Sequence, residues 1–200
     1  KGNFLALETV CSISQEQKGL KKFHGFIYDK KNKFNWTVGK SLFGNKEVLI
    51  PAQLIYVPYI YKDNEPIIRL PISTGAALGT NLSSALIRGA FEVIERDSFM
   101  IFYLNKLPPT EIDLGKSTSK LSDIKKYFNR YNLSLRLFDI TSDLNIPVYM
   151  AIITDNTRVG PWISIGLKCG FDKIGVAIGA IEEAQHTRGW MRNEKASIQE

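Results

Sequence analysis

Residues 73–104 decide the fold, and they read STGAALGTNLSSALIRGAFEVIERDSFMIFYL. A turn of glycines and other small residues leads into a long apolar stretch with helical spacing of its hydrophobic positions. Projected at about 100° per residue, Arg88, Glu92, Glu95 and Arg96 fall on one side of the predicted helix. Such a helix is ordinary and amphipathic if its charged side faces water.

The charged side differs from a plain solvated surface. Phe99 and Phe102 fall on the same arc within the next two turns, so this side becomes apolar directly beyond the charges. Glu92 and Glu95 are like-charged neighbours, an unfavourable arrangement unless a cation or an arginine lies between them. Two interpretations stay open here: ion pairs with the arginines on a wet face, or a bound Mg²⁺, which prefers carboxylate, phosphate and water oxygens.

The turn before this helix has small residues at 73–75 and 79–81. Free backbone N–H groups at such a helix start can hold an anion. The segment has neither the GK[ST] ending of a P-loop nor the GxGxxG spacing of a dinucleotide fold. A phosphate contact is therefore open, but neither of those two folds is supported.

A second predicted helix, over about residues 172–192, has an equally unusual polar side. This side combines polar residues with internal glycines: Glu182, Gln185, His186, Gly175, Gly179 and Gly189. An internal glycine weakens a helix by up to about 1 kcal/mol relative to alanine. The glycines indicate either a close approach by a ligand or backbone, or packing against a crowded neighbour. Arg188 would suit a phosphate, Glu183 or solvent.

The rest of the pattern predicts an α+β fold with a mostly antiparallel sheet covered by helices, in a single domain over residues 1–200. A third helix is predicted over residues 117–131. Pro58 makes residues 54–61 an edge strand or irregular extended chain. The other predicted strands cover residues 23–29, 34–38, 48–50, 67–70, 133–140, 148–154 and 162–167.

Composition sets limits on the class of protein. The chain is 44% hydrophobic and 23% charged, as in ordinary globular proteins, and no apolar run reaches the roughly 20 residues of a membrane helix. Cys11 and Cys169 lack CxxC spacing, which predicts free thiols and a cytoplasmic location. The net charge of +6 leaves a nucleic-acid-binding module as a hypothesis. The basic first quarter contains no Arg and no regular aromatic interleaving, so nucleic acid is not the expected partner.

Together the two unusual helices resemble the signatures of the YcaO family. Its first signature, S-x-G-x-A-x-G and then E-x-x-E-R-D, is similar to Ser73, Gly75, Ala77, Gly79, Glu92, Glu95, Arg96 and Asp97. Its second, E-x-x-Q-x-x-R, is similar to Glu182, Gln185 and Arg188. Many members carry Ser three residues before the first glutamate, where this chain has Gly89. The family domain is longer at both ends, so we expect this chain to be part of one.

The resemblance implies ATP-dependent activation of a peptide backbone amide. A substrate Cys, Ser or Thr side chain, or an external sulfur donor, would attack the carbonyl, and ATP would phosphorylate the resulting oxyanion. Loss of phosphate would then leave a thiazoline or oxazoline ring, or a thioamide. The resemblance implies Mg²⁺ on Glu92, Glu95 and Glu182, and ATP contacts from Ser73, Gly75, Arg96, Gln185 and Arg188. It assigns no catalytic side chain.

The same resemblance implies partners. A peptide or protein would be the substrate, a second protein would recognise a leader or deliver sulfur, and a homodimer stays open. No nucleic acid or membrane is expected. The alternative is a non-catalytic subunit of the same family that binds peptide or acts as a scaffold in a modification complex.

Overall fold

The computed structural model describes residues 14–21, 31–62 and 65–197. The chain divides into two compact units, residues 1–73 and 74–200. The first contains helix α1 (Gln15–Lys18), strands β1 (Trp36–Lys40) and β2 (Glu47–Pro51), and a 3-10 turn (Ala52–Leu54). β1 and β2 pair antiparallel. The strand predicted over residues 23–29 lies outside the described residues.

In the first unit, residues 55–61 and 67–70 do not form strands. A buried polar network around Gln53 binds the backbone next to the second of these segments. The backbone N–H of Ile68 donates to Oε1 of Gln53 at 2.8 Å, and Nε2 of Gln53 donates to the carbonyl of Pro66 at 3.1 Å. Side-chain bonds therefore satisfy this backbone in place of a strand ladder. The strand predicted at residues 67–70 is wrong for this reason, and residues 55–61 are irregular.

The second unit is a four-stranded antiparallel sheet with three helices. The helices are α2 (Leu82–Asn105), α3 (Ser119–Arg130) and α4 (Lys173–Ser197), and the strands are β3 (Thr110–Ile112), β4 (Leu133–Asp139), β5 (Val148–Asp155) and β6 (Ile163–Cys169). The strand order is β3-β4-β5-β6. This arrangement confirms the predicted α+β class. Among the described residues, none of the helices combines the length and the apolar character that a bilayer crossing requires.

Helices α3 and α4 pack on one face of this sheet. Leu135, Ala151 and Ile153 point to that face and are buried against both helices. At β6 the approach is especially close, because a Cβ added to Gly166 would collide with backbone atoms of Ala180 and Ala184. The glycine thus lets the backbone of α4 lie directly on the strand, which fixes the rotation of α4 about its axis.

Helix α2 packs on the opposite face of the sheet. Successive side chains of a strand point to opposite faces, and the side chains that do not face α3 and α4 face α2. Its aromatic residues Phe91, Phe99 and Phe102 contact a cluster that includes Val148 and Cys169. The buried residues of α2 are Glu95 and Ser98, on the same side as these aromatics. Within the charged side of the helix, Glu95 is therefore turned toward the sheet, whereas Arg88 and Arg96 are exposed. The wet-face interpretation does not hold for Glu95.

Candidate functional site

The turn before α2 is held against the first half of the helix. Asn81 caps α2 and forms a capping box with Ser84, in which each side chain accepts a hydrogen bond from the other residue's backbone N–H. Gly75 has a φ of 84°, a backbone conformation that glycine adopts at low cost. A Cβ at Gly89 would lie 2.9 Å from the carbonyl oxygen of Gly75. The glycine at position 89 therefore lets the turn touch the helix.

Arg88 fastens the same turn from its other side. Its Nη1 donates a hydrogen bond to the carbonyl of Leu78 at 3.1 Å. The predicted ion pair between Arg88 and Glu92 is not the contact that forms, because this bond engages the guanidinium instead. Glu92 pairs with Arg96, whose Nε donates to Oε1 of Glu92 at 3.1 Å.

A cavity of about 550 Å³ opens between this turn, α2 and the end of β6. Its lining consists of Ala76, Ala77, Leu78, Arg88, Phe91, Glu92, Glu95, Lys168 and Cys169. Two carboxylates and two cationic side chains thus meet beside a loop of small residues. Such a mixture can hold a metal ion and an anion side by side.

Glu95 is the most perturbed group of this cavity. It is only 4% exposed. Burial, together with the negative charges of Glu183 and Glu92, raises its pKa to about 7. The positive charges of Lys168 and Arg96 oppose this effect but do not cancel it. Burial and the two neighbouring carboxylates disfavour the ionised form of Glu95. A bound divalent cation would stabilise that ionised form.

Helix α4 brings Glu183, not Glu182, to this region. Oε2 of Glu183 accepts a hydrogen bond from the backbone N–H of Leu167 in β6, at 3.3 Å. Burial raises the pKa of Glu183, and the negative charge of Glu92 adds to this. Adjacent helix positions differ by about 100°, so the orientation of α4 decides which glutamate faces α2. The family resemblance implied the preceding residue, Glu182, as a metal ligand, and that assignment stays a prediction.

The structure places the other predicted residues of α4 elsewhere. Glu182, Gln185 and Arg188 line a second cavity, of about 1020 Å³, between α3 and α4. The structure therefore does not bring Glu182 and Gln185 together with Glu92 and Glu95. Instead, Glu183 of α4 lies within electrostatic range of Glu95 and Glu92 of α2.

Arg188 has a partner within the protein. It is 9% exposed, and its Nη2 donates to Oδ2 of Asp155, the last residue of β5. Asp155 also accepts hydrogen bonds from the backbone and side chain of Thr157. With Nη2 held by this buried carboxylate, Arg188 could bind a phosphate only through its other N–H groups, of which Nε has no hydrogen-bond partner within the protein.

The remaining predicted site residues, Gly75, Arg96 and Ser73, have different surroundings. Gly75 lies against α2, as described above, and Arg96 is half exposed in its pair with Glu92. Ser73 is the last residue of the first unit and is exposed. Lys168 and Cys169 were not predicted as site residues, because their position next to α2 depends on how the sheet packs.

The carboxylates are not arranged as a finished metal site. Within residues 14–21, 31–62 and 65–197, no three His, Cys, Asp or Glu side chains converge closely enough to ligate one ion. The donor chemistry nonetheless fits Mg²⁺, since the negative charges of Glu92 and Glu183 raise the pKa of Glu95, and that of Glu92 also raises the pKa of Glu183. The side chains would have to move to bring their oxygens onto a shared ion.

The surroundings of the Cys169 thiol make it a poor nucleophile. Burial, and next the negative charge of Glu95, raise its pKa to about 11. The thiolate that would act as a nucleophile is therefore scarce near neutral pH.

Comparison with known proteins identifies the family. A family model described as YcaO cyclodehydratase, ATP- and Mg²⁺-binding, matches residues 1–199. An uncharacterized protein of Methanothermobacter thermautotrophicus is 26% identical over 162 residues, which are 80% of this chain and 42% of that protein. The chain spans less than half of the length of the curated relatives that it matches.

Solved structures share the fold. A heterocyclase in complex with substrate and cofactor matches with a TM-score of 0.78 at 22% identity, over 92% of this chain and 26% of that chain. YcaO from Methanopyrus kandleri bound with AMPPCP and Mg²⁺ matches with a TM-score of 0.72 at 19% identity, over 97% and 46% of the two chains. The predicted family is confirmed, and ATP and Mg²⁺ are the cofactors of that family.

Proposed function

Since the chain belongs to the YcaO family, we propose that it takes part in the ATP- and Mg²⁺-dependent activation of a peptide backbone amide. The outcome would be cyclodehydration of a Cys, Ser or Thr residue to an azoline ring. Thioamide formation would follow if an external sulfur donor replaced the side chain as the nucleophile. The substrate would be a ribosomally made peptide or a protein.

The observation that carries this proposal is the buried carboxyl of Glu95 beside Glu92 and Glu183. We propose that these three residues hold Mg²⁺, which replaces Glu182 by its neighbour in the set expected from the sequence. The cation would neutralise the charge of the phosphates, and ATP would supply the phosphoryl group that converts the amide oxygen into a leaving group. Phosphoryl transfer asks a protein mainly for positioning and charge neutralisation.

The residues around the carboxylates would serve binding and orientation. Arg88 holds the turn at Leu78, so the backbone of residues 76–78 forms a fixed wall of the cavity. Arg96 keeps the carboxylate of Glu92 oriented through their hydrogen bond. The nucleophile would come from the substrate or the sulfur donor, which fits the high pKa of the Cys169 thiol.

The choice between Glu183 and Glu182 tests this assignment directly. We expect Glu183→Gln and Glu95→Gln to abolish Mg²⁺-dependent ATP binding, measured by calorimetry, while circular dichroism shows a folded protein. Glu182→Gln is the matched variant one position away, and we expect it to bind ATP like the unaltered chain. Loss of binding in Glu182→Gln with retention in Glu183→Gln would reverse the assignment. No ATP binding by the unaltered protein, with peptide binding retained, would favour a scaffold subunit.

The product distinguishes the two reactions. We propose that a second protein recognises the leader of the substrate or delivers sulfur, as the family resemblance implies. Mass spectrometry of a peptide treated with the complete system would show loss of water for ring formation. Replacement of oxygen by sulfur would instead indicate a thioamide.

A further inference from the structure

Gly179 of α4 leaves a gap that the side chain of Lys168 fills. A Cβ at position 179 would lie 2.9 Å from both Cγ and Cδ of Lys168. This glycine weakens the helix relative to alanine. Its absent side chain therefore leaves a path across α4 for the stem of Lys168, from β6 toward the carboxylate cavity.

Two cationic side chains, Lys168 and Arg88, line this cavity. The ammonium of Lys168 has fewer contacts within the protein than the guanidinium of Arg88. Lys168 lowers the pKa of Glu95 and of Glu183, so it lies within electrostatic reach of both. Among the ion pairs of the described residues none includes Lys168. The other lining cation, Arg88, donates a hydrogen bond to the carbonyl of Leu78.

Charge decides what this ammonium would contact once a metal ion is present. A divalent cation on the carboxylates would satisfy their charge and repel a neighbouring ammonium. The phosphates of a nucleotide would attract it, because a lysine ammonium is a compact charge with three rotatable donors. We propose that Lys168 is a positioning residue for the phosphates of the bound nucleotide, with its stem guided by Gly179. This inference rests on the proposed function, since it concerns the same cavity.

Binding of three ligands shows whether Lys168 contacts the phosphates or affects the cavity in a general way. We would measure binding of ATP with excess Mg²⁺, of adenosine, and of Mg²⁺ alone to Lys168→Met, which keeps the stem beside Gly179. We expect the ATP affinity to fall at least about tenfold, as for a lost hydrogen bond to a charged group. We expect adenosine affinity to stay the same and Mg²⁺ affinity to rise, because a repelling charge is removed.

Matched variants complete the test. Lys116→Met removes an exposed lysine elsewhere in the same unit and should leave all three affinities unchanged. Lys168→Arg should retain most of the ATP affinity, since the positive charge stays. Lys168 is exposed, so the thermal midpoint of Lys168→Met should match that of the unaltered protein.

Failure of the inference about Lys168 can be distinguished from failure of the proposed function. If the unaltered protein binds ATP and Lys168→Met binds it equally well, Lys168 has no such role while the proposed function stands. An equal loss of ATP and adenosine affinity would also overturn the inference, since it would indicate a distorted cavity. If the unaltered protein binds no ATP with Mg²⁺, the proposed function and this inference fall together.

Discussion

Glu183 of α4 opposes the ionisation of Glu95 of α2, which lines the cavity beside the turn. Burial first, and then the negative charges of Glu183 and Glu92, raise the pKa of Glu95 to about 7. The two glutamates come from helices on opposite faces of the sheet. Glu183 is held near the end of β6 by its hydrogen bond from the backbone N–H of Leu167, within electrostatic range of Glu95. This like-charge contact has a measurable cost in the absence of a metal ion.

Glu95→Gln should stabilise the metal-free protein at alkaline pH. The pKa of Glu95 is raised from 4.5, so the folded protein holds a proton that the unfolded chain has lost. Stability therefore falls as pH rises from about 4.5 to 7, and the cost stays above that range. At one pKa unit per roughly 1.4 kcal/mol, the variant should gain up to about 3 kcal/mol at pH 8 and little at pH 4.5. Urea unfolding at both pH values measures this.

The control for that experiment is Glu182→Gln, which changes an exposed carboxylate and should alter stability by less than about 0.5 kcal/mol. With Mg²⁺ added, the gain of Glu95→Gln over the unaltered protein should disappear, because the cation stabilises the ionised glutamates. Equal destabilisation of Glu95→Gln at both pH values would contradict the account of Glu95.

Gly89→Ala should destabilise the protein although alanine is the better helix former. Helix propensity alone would favour alanine by about 1 kcal/mol. The new Cβ would, however, lie 2.9 Å from the carbonyl oxygen of Gly75, a backbone atom that cannot rotate away. We expect a net loss of about 1–2 kcal/mol and weaker nucleotide binding, since the turn must move.

Gly189→Ala is the matched substitution for Gly89→Ala. It lies in α4 with no atom within 4 Å of the new Cβ, so it should stabilise the protein by about 0.5–1 kcal/mol. Chemical unfolding of the two variants side by side separates helix propensity from the contact with the turn. A stabilising Gly89→Ala would show that the turn yields freely.

Asp155→Asn should be strongly destabilising. Burial opposes ionisation of Asp155, but hydrogen bonds from Thr157 and Arg188 lower its pKa to about 2. Its contribution to stability is therefore complete above about pH 4 and is lost as pH falls toward 2. Asparagine would leave the buried guanidinium of Arg188 without a carboxylate, at a cost of about 3–5 kcal/mol.

The double variant Asp155→Asn with Arg188→Met tests the same pair. Removing both charges should cost clearly less than Asp155→Asn alone, because no unpaired charge stays buried. Additive losses in urea unfolding would argue against a coupled pair. Such a result would also return Arg188 to the set of residues free to bind phosphate.

Cys169 should react slowly with an iodoacetamide reagent at pH 8. Its pKa of about 11 leaves little thiolate. Substitution of Cys11 by serine leaves Cys169 as the reporter, and labelling followed by mass spectrometry gives its rate. The rate should rise steeply in urea, while rapid labelling of the folded protein would contradict the buried position.

Periodicity predicted the long elements of the second unit well. The helical spacing within residues 73–104 corresponds to the observed helix Leu82–Asn105, and the predicted strand over residues 148–154 is observed as Val148–Asp155. Helical spacing and runs of β-branched residues are local properties, so one sequence carries them. β3 has three residues after Pro108 and Pro109, which is too short to show a period.

The candidate site was only partly predictable, because its parts meet through packing. Glu92 and Glu95 stood out from their spacing on one helix. The choice of Glu183 over Glu182 depends on the rotation of α4, which the close contact at Gly166 fixes. The role of Arg188 likewise depends on Asp155, whose position at the end of β5 no pattern in the last helix reveals.

The strand order of the sheet also bears on how the protein folds. β3, β4, β5 and β6 pair with their neighbours along the chain, so most strand contacts close short loops and should form early. Glu95 and Glu183 are separated by about two thirds of the second unit, and bringing them close together needs α2 to dock on the completed sheet. We therefore expect the carboxylate cavity to assemble in the last step of folding and to open first when the protein unfolds.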